Sequence, residues 1–297
     1  MPELPEVETI IRGLNKLVRG LTIRDIFLES FKIIKYPKAD DFIKNLKGKK
    51  IISIFRKGKN ILIELNDNNI LLIHLKLTGH LLYGQWQLKN KQWQSLKKGH
   101  LNDPQNRFIR LILKLSNGQM LALSDLRKFA KIMLIKKEEI EKLPELKKLG
   151  IDPLTPQFNL VYFKNLVNHL KQRRPRLTIK NLLLDQSIIS GIGNIYSDEI
   201  LFVSKIHPLK QISRLTNEDI KRIYKAIISI LKEAIKRRGS SVGYGDYRDL
   251  SGAKGNYASE LRVYQREKKI CSYCGQPIKK IKIGSRSSYF CPHCQKL

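Results

Sequence analysis

At 297 residues the chain is long enough for two or three domains, each with its own core. Its 57 Lys and Arg against 26 Asp and Glu leave a formal charge of +31, a balance that favours a polyanionic partner, most simply nucleic acid. No apolar run approaches the roughly 18 residues of a membrane span, and Glu3, Glu6 and Glu8 stand where an export signal carries basic residues, so a cytoplasmic protein is expected. Compositional drift toward Lys, Ile and Asn is an alternative source of part of the lysine excess. It does not account for arginine pairs such as Arg173-Arg174 and Arg237-Arg238.

The chain opens MPELPEVETI, with Pro2 directly after the initiator methionine. A residue that small at position 2 permits removal of Met1, which would leave a chain-terminal secondary amine. A terminal amine has a pKa near 8 against about 10.4 for lysine, so at neutrality it is the free base about a hundred times more often. Proline's amine is somewhat more basic, but it condenses with an aldehyde-equivalent carbon to an iminium that is cationic without protonation. Glu3, with Glu6 one helical turn further along, can move protons there. The competing explanation is that the three glutamates simply suit the positive end of a helix.

Val7, Ile10, Ile11, Leu14 and Leu17 predict an amphipathic helix over 5–18, with Gly20 as its stop. From 22 to 135 the pattern becomes short apolar runs between turns. IISIFRKGKNILIEL and ILLIHLKLTGHLLYG read as paired strands, and FIRLILKL with QMLALSD as a hairpin across Asn117-Gly118. An all-β sandwich or flattened barrel led by one helix is the economical fold. Within it, Lys59 follows Gly58 at a strand start, where a basic residue is ordinarily solvated. Residues 84–106 show no periodicity and read as a long polar surface loop.

The charged stretch 136–156 reads as a connector. FNLVYFKNLVNHLKQR, TIKNLLLDQS, NIYSDEILFVSKI and TNEDIKRIYKAIISILKEAIKRRG then carry helical periodicity, the last with a capping-box-like Thr216/Asp219 start and Gly239 as an end signal. In GIGNIY, Gly191 and Gly193 precede Asn194 at a helix start able to hold a phosphate, or simply to cap the helix. Residues 239–257, with five glycines, read as a mobile loop, either a plain linker or a lid over a flipped base. All four cysteines follow as Cys271-x2-Cys274-x16-Cys291-x2-Cys294, a spacing that brings four thiolates to one tetrahedral Zn2+; a disulfide pair is the alternative.

PELPEVET, RKGKNILIEL, HLKLTG, SDLRKFAKI, SGIGNIYSDEILFVSKIHP, ELRVYQR and the cysteine ribbon, in this order and across essentially the whole chain, resemble formamidopyrimidine-DNA glycosylase. The expected organisation is α+β and multidomain: a helix-led catalytic β-sandwich at 1–135, a linker at 136–156, a helix-two-turn-helix DNA-binding domain at 157–265 with a lesion-recognition loop at 239–257, and a zinc ribbon at 266–297. The resemblance implies a monomeric base-excision enzyme on double-stranded DNA, lying in the cleft between its domains. It would remove oxidised purines such as 8-oxoguanine and formamidopyrimidines and then cut the backbone by β- and δ-elimination.

Carried over by residue, the resemblance makes Pro2 the nucleophile at C1′, Glu3 the proton donor and Glu6 a supporting carboxylate. Lys59 contacts DNA and assists β-elimination, Asn194 binds phosphate, and Arg286 grips a phosphate and assists δ-elimination. Leu77, Arg127 and Phe129 fill the space that a flipped base vacates. Arg107, Arg110, Arg174 and Arg176 are further expected DNA contacts. Three departures stand out: Leu77 where methionine is common, Ala130 where glycine usually follows the phenylalanine, and Phe108 in place of a DNA-contacting histidine, for which Arg107 or Arg110 would substitute. An endonuclease-VIII-like enzyme for oxidised pyrimidines and a catalytically silent nucleic-acid-binding protein remain the alternatives.

Overall fold

The computed structural model describes residues 1–243 and 246–297. They form two compact units, Met1–Lys147 with Ile235–Ala258, and Lys148–Ala234 with Ser259–Leu297. Among the described residues no helix is long and apolar enough to cross a membrane.

The first unit begins with helix α1 (Leu4–Leu17), whose Leu4, Val7, Ile10, Ile11 and Leu14 are buried, as their spacing predicts. Strands β1 (Ile23–Leu28) and β2 (Ile34–Tyr36) follow, then helix α2 (Ala39–Leu46), which the strand-dominated pattern had hidden. Next come β3 (Ile51–Lys57), β4 (Asn60–Leu65), β5 (Asn69–His74), β6 (Gly79–Gly84), β7 (Trp86–Lys89), β8 (Gln92–Ser95), β9 (Ile109–Leu115), β10 (Met120–Asp125) and β11 (Lys131–Lys136). One sheet has the order β1-β9-β10-β6 and the other β2-β11-β5-β4-β3; only the β2–β11 pairing is parallel.

Alternation places Ile61, Ile63, Leu71 and Ile73 of one sheet and Leu111, Leu113, Leu121 and Leu123 of the other in a common core with α1. Truncating any of these to alanine would cost about 2–5 kcal/mol. The expected β9–β10 hairpin forms, with Gly118 at φ +77° in its turn.

The stretch 84–106 is not a plain loop. Leu82, Ile109, Ile112 and Ala122 form an apolar outer face on the four-stranded sheet, and Trp86 and Leu101 cover it. Trp93 packs edge-on against Phe27 at 5.0 Å. Asn90 and Lys91, both with positive φ, make the two-residue turn that pairs β7 with β8. Packing on a distant sheet orders a segment whose own periodicity is weak.

The start of the expected connector also packs in this unit. It forms a 3-10 turn (Lys137–Lys142) and helix α3 (Pro144–Lys147), with Ile140 and Leu146 buried.

The second unit holds α4 (Leu160–Arg173), α5 (Ile179–Leu184), α6 (Asn194–Val203) and most of α7 (Asn217–Lys236). The Thr216/Asp219 capping box forms in both directions, at 3.0 and 3.1 Å. The hairpin β12 (Lys279–Ile283) and β13 (Arg286–Phe290) completes it. Residues 239–257 belong to the first unit, and those described are largely buried. Tyr244 and Gly245, within the stretch read as a linker or lid, lie outside the described residues.

Candidate active site and DNA-binding surfaces

At the N-terminus Met1 is 40% exposed, whereas Pro2 is buried and Glu3 and Glu6 are only 3% and 1% exposed. While Met1 is attached, the Pro2 nitrogen is an amide with no lone pair to donate; its removal creates the amine. The Glu3 backbone N–H donates to Glu6 Oε2 at 2.7 Å, so the pair does serve as a helix cap. The other Glu6 oxygen accepts the backbone N–H of Ser240 at 2.8 Å. Capping therefore uses only half of the Glu6 carboxylate. Glu8 has a different position: burial pushes its carboxyl up, but hydrogen bonds from Arg56 at 2.7 Å and Arg12 at 2.9 Å outweigh this and leave it below its usual range.

The Ser240 contact requires the glycine before it. Gly239 has φ +79°, and a Cβ there would lie 2.8 Å from Glu6 Cγ and 3.1 Å from the Tyr247 ring. Buried Tyr247 has its phenol pushed well up, first by burial and then by the nearby Glu6 charge. In the sequence, Gly239 signalled only a helix end, and nothing local marked Ser240 or Tyr247 as neighbours of Glu6.

Lys59 sits in the two-residue turn between β3 and β4, after Gly58 at φ +58°, and is 8% exposed rather than solvated. Burial, then the charges of Lys76 and Lys59, hold the His74 imidazole down to about 4, so it is neutral at pH 7. His74 Nδ1 accepts the Lys76 backbone N–H at 3.0 Å, which leaves its ring proton on Nε2.

Leu77 and Phe129 are 41% and 44% exposed, each following a lysine with positive φ, and the Arg127 guanidinium lies 4.5 Å over the Phe129 ring. Their two turns are tied from beneath by Asp125, which is fully buried. Its Oδ1 accepts the Thr78 hydroxyl at 2.5 Å and the Arg127 N–H at 3.2 Å, and its Oδ2 the Ala130 N–H at 2.8 Å. One carboxylate thus sets the three side chains out together. Asp125 stood in the quoted SDLRKFAKI motif, but only its contacts identify it as the tie.

The Phe108 ring is flanked by Arg107 and Arg110, whose guanidinium carbons lie 5.0 and 6.0 Å from its centre. Arg110 is engaged with the Asp125 carbonyl at 2.9 Å and Glu29 at 3.0 Å, while Arg107 is exposed. Of the two, Arg107 is the freer to meet a phosphate.

In the second unit, Asn194 is the first residue of α6, after Gly191 at φ +93°. Its side-chain amide donates to the Ser287 carbonyl at 2.8 Å, which sets it beside the residue that follows exposed Arg286. Arg176 is exposed, and Arg174 is half exposed with Asp185 at 3.3 Å.

The four cysteine sulfurs lie within 4.8 Å of one another, with Cys274–Cys291 at 3.4 Å and Cys271–Cys294 at 3.9 Å. A tetrahedral zinc with Zn–S about 2.3 Å needs sulfurs about 3.8 Å apart. The set fits one zinc, and none of these sulfurs is in a disulfide. Backbone N–H groups of Tyr273 and Cys294 point at Cys271 and Cys291 sulfurs, at 3.4 and 3.5 Å, as suits thiolates. Cys271 and Cys291 pack with Phe202, Val263 and Ile278, so a structural zinc would anchor the ribbon to α6.

Three family descriptions match successive parts of the chain: "Formamidopyrimidine-DNA glycosylase N-terminal domain" at 1–132, "Formamidopyrimidine-DNA glycosylase H2TH domain" at 149–245, and "Zinc finger found in FPG and IleRS" at 255–297. A formamidopyrimidine-DNA glycosylase of Pelotomaculum thermopropionicum is 40% identical over 297 residues, 100% of either chain. Among solved structures, a Lactococcus lactis FPG mutant with Fapy-dG-containing DNA is similar with a TM-score of 0.82, at 33% identity over 100% of both chains. Wild-type Lactococcus lactis FPG (MutM) with an oxidized-pyrimidine-containing DNA matches with the same score, identity and coverage. The helix-led sandwich, the helical unit and the four-cysteine ribbon thus have full-length counterparts in sequence and in structure, and the chain belongs to the formamidopyrimidine-DNA glycosylase family.

Proposed function

We propose that this DNA glycosylase excises oxidised purines through a Schiff base on Pro2 and then cleaves the DNA backbone. The observation that carries the mechanism is the buried Glu3–Glu6 pair beside buried Pro2, under an exposed Met1. With Met1 removed, the Pro2 nitrogen attacks C1′ of a flipped nucleotide, the C1′–base bond breaks, and the base departs with a proton. Glu3 protonates O4′ as the sugar ring opens, giving a cationic iminium between Pro2 and C1′.

That electron sink acidifies the C2′ proton. Its removal expels the 3′ phosphate, and Lys59 supports this β-elimination; Arg286 supports loss of the 5′ phosphate in the δ step. Water then frees Pro2 by hydrolysing the iminium, which releases the sugar remnant as an aldehyde. Glu6, held by two N–H donors, keeps Glu3 and the start of α1 in place. Leu77, Arg127 and Phe129 occupy the vacated stack, while Arg107, Asn194, Arg174 and Arg176 hold phosphates. Cys271, Cys274, Cys291 and Cys294 would hold a zinc through four thiolates, and such a closed site would fold the ribbon rather than take part in the reaction. The formal charge of +31 suits a protein that resides on the nucleoid.

Borohydride trapping on a duplex with 8-oxoguanine opposite cytosine, followed by peptide mapping, tests the mechanism. The expected adduct is on Pro2; an adduct on an internal lysine, or none, overturns it. Oxidised pyrimidines are a second substrate class, supported by the complex of the Lactococcus lactis relative with an oxidized-pyrimidine-containing DNA. Parallel excision assays with thymine glycol measure how far they are shared.

A further inference from the structure

Asp198 and Glu199 are neighbours on α6, and both are buried, at 1% and 0% exposure. Glu199 accepts the backbone N–H groups of Arg262, Val263 and Tyr264 at 2.9–3.0 Å, so it fixes the chain entering the ribbon. Asp198 has different partners. One oxygen accepts the Lys180 ammonium at 2.7 Å and the Ser288 hydroxyl; the other accepts the Tyr289 backbone N–H at 3.0 Å. Lys180 is itself fully buried, and donates further to Ser197 Oγ at 2.7 Å and to the Asn194 carbonyl at 3.3 Å.

Three consecutive residues of β13 are therefore held by α6: Ser287 by Asn194, and Ser288 and Tyr289 by Asp198. Arg286 immediately precedes them. A carboxylate suits this position because three donors converge on two oxygens. Asparagine would turn an N–H2 toward one of them, and leucine would accept from none.

We infer that Asp198, charge-balanced by Lys180, is the positioning residue that keeps β13 in register with the first turn of α6, so that Asn194 and Arg286 act as one phosphate-binding pair. The inference rests on the proposed roles of Asn194 and Arg286 as phosphate ligands, and not on the chemistry at Pro2. It separates from a merely structural role, because removing both charges together leaves no unpaired buried charge, so the protein can fold while β13 loses its tie to α6.

The decisive variant is the double substitution Lys180→Met with Asp198→Leu in the full-length, zinc-loaded protein. Melting temperature, zinc per chain, hydrogen exchange at the Tyr289 amide, and affinity for a duplex bearing a tetrahydrofuran abasic analogue are measured together. The expected result is a folded protein with parental zinc content and a lowered melting temperature, since the Tyr289 N–H has lost its acceptor, together with faster exchange at Tyr289 and affinity weakened by about tenfold or more.

Parental affinity in a folded double variant overturns the inference. Should that variant not fold, Ser288→Ala takes its place: it removes one donor only, and unchanged affinity together with unchanged Tyr289 exchange overturns the inference equally. Asn194→Ala and Arg286→Ala serve as references. If both bind like the parent, their assignment as phosphate ligands falls and the inference with it; if both weaken binding and the double variant does not, the inference alone falls. Failure of the Pro2 mechanism would show separately, as absent trapping in the parent protein.

Discussion

Glu6 and Ser240 stand 234 positions apart in the chain, yet a 2.8 Å hydrogen bond joins the carboxylate of one to the backbone N–H of the other. Since the second Glu6 oxygen holds the Glu3 N–H, the start of α1 and the end of the α7 turn share one buried group.

Glu6→Gln keeps one acceptor oxygen and turns an N–H2 toward the other donor. One buried N–H loses its partner, at a cost of about 1–3 kcal/mol, read as a lower denaturant midpoint. Excision of 8-oxoguanine in single-turnover assays should slow by about tenfold or more as Glu3 loses its support. Gly239→Ala should reproduce both effects, with about 1–3 kcal/mol from the positive φ and from contact with Glu6. A Gly239→Ala protein of parental stability and rate would show that the Glu6–Ser240 bond does not matter.

Leu77→Ala and Phe129→Ala should each slow excision from a fully paired duplex by about tenfold, because unstacking the target costs a few kcal/mol that the wedge no longer offsets. Excision from a single-stranded or bulged substrate should barely change. Asp125→Ala should combine this defect with about 3 kcal/mol of destabilisation, having removed the tie beneath both turns. Equal slowing on paired and unpaired substrates would mean that Leu77 and Phe129 act on chemistry rather than on flipping.

Stripping zinc with a strong chelator should unfold the ribbon and weaken DNA binding by at least about tenfold, since two metal-linked cysteines sit in the α6 core. Native mass spectrometry should show one zinc per chain before treatment. Intact binding after verified loss of zinc would remove the ribbon from the DNA-binding surface.

Acid should destabilise the protein in a particular window. His80 on β6 is 2% exposed. Burial, then the nearby Arg248 cation, pull its pKa from 6.5 down to about 4. Between those values the unfolded chain binds the proton and the folded one does not, so stability falls as the pH drops through 6.5 and levels off near 4. From pH 7.5 to pH 5 this one group should cost about 2 kcal/mol. His74, shifted in the same direction, adds to the loss. Denaturant titrations at both pH values should show a smaller loss for His80→Gln; an identical loss would assign the acid sensitivity elsewhere.

Several features were legible in the residues alone because their causes are local. The 3.6-residue spacing of Val7, Ile10, Ile11 and Leu14 specifies α1, Thr216 and Asp219 specify the start of α7, and the two Cys-x2-Cys pairs specify a metal knuckle wherever the chain takes them. The opening peptide and the ordered motifs identified the family. Other features had no local cause to read. Trp86 is ordered by Leu82 and Ile112 on a sheet face, and the described part of 239–257 is held by Glu6 and buried around Tyr247 despite its glycines. Asp198 looks like an ordinary helix-surface acid until β13 covers it. The sequence by itself determined the helices and strands with regular apolar spacing, the four-cysteine set and the family, since these depend on neighbours within a few positions. Only the tertiary structure decided which carboxylates are buried and what each one holds, because a hydrogen bond across 234 positions depends on packing that no short stretch encodes.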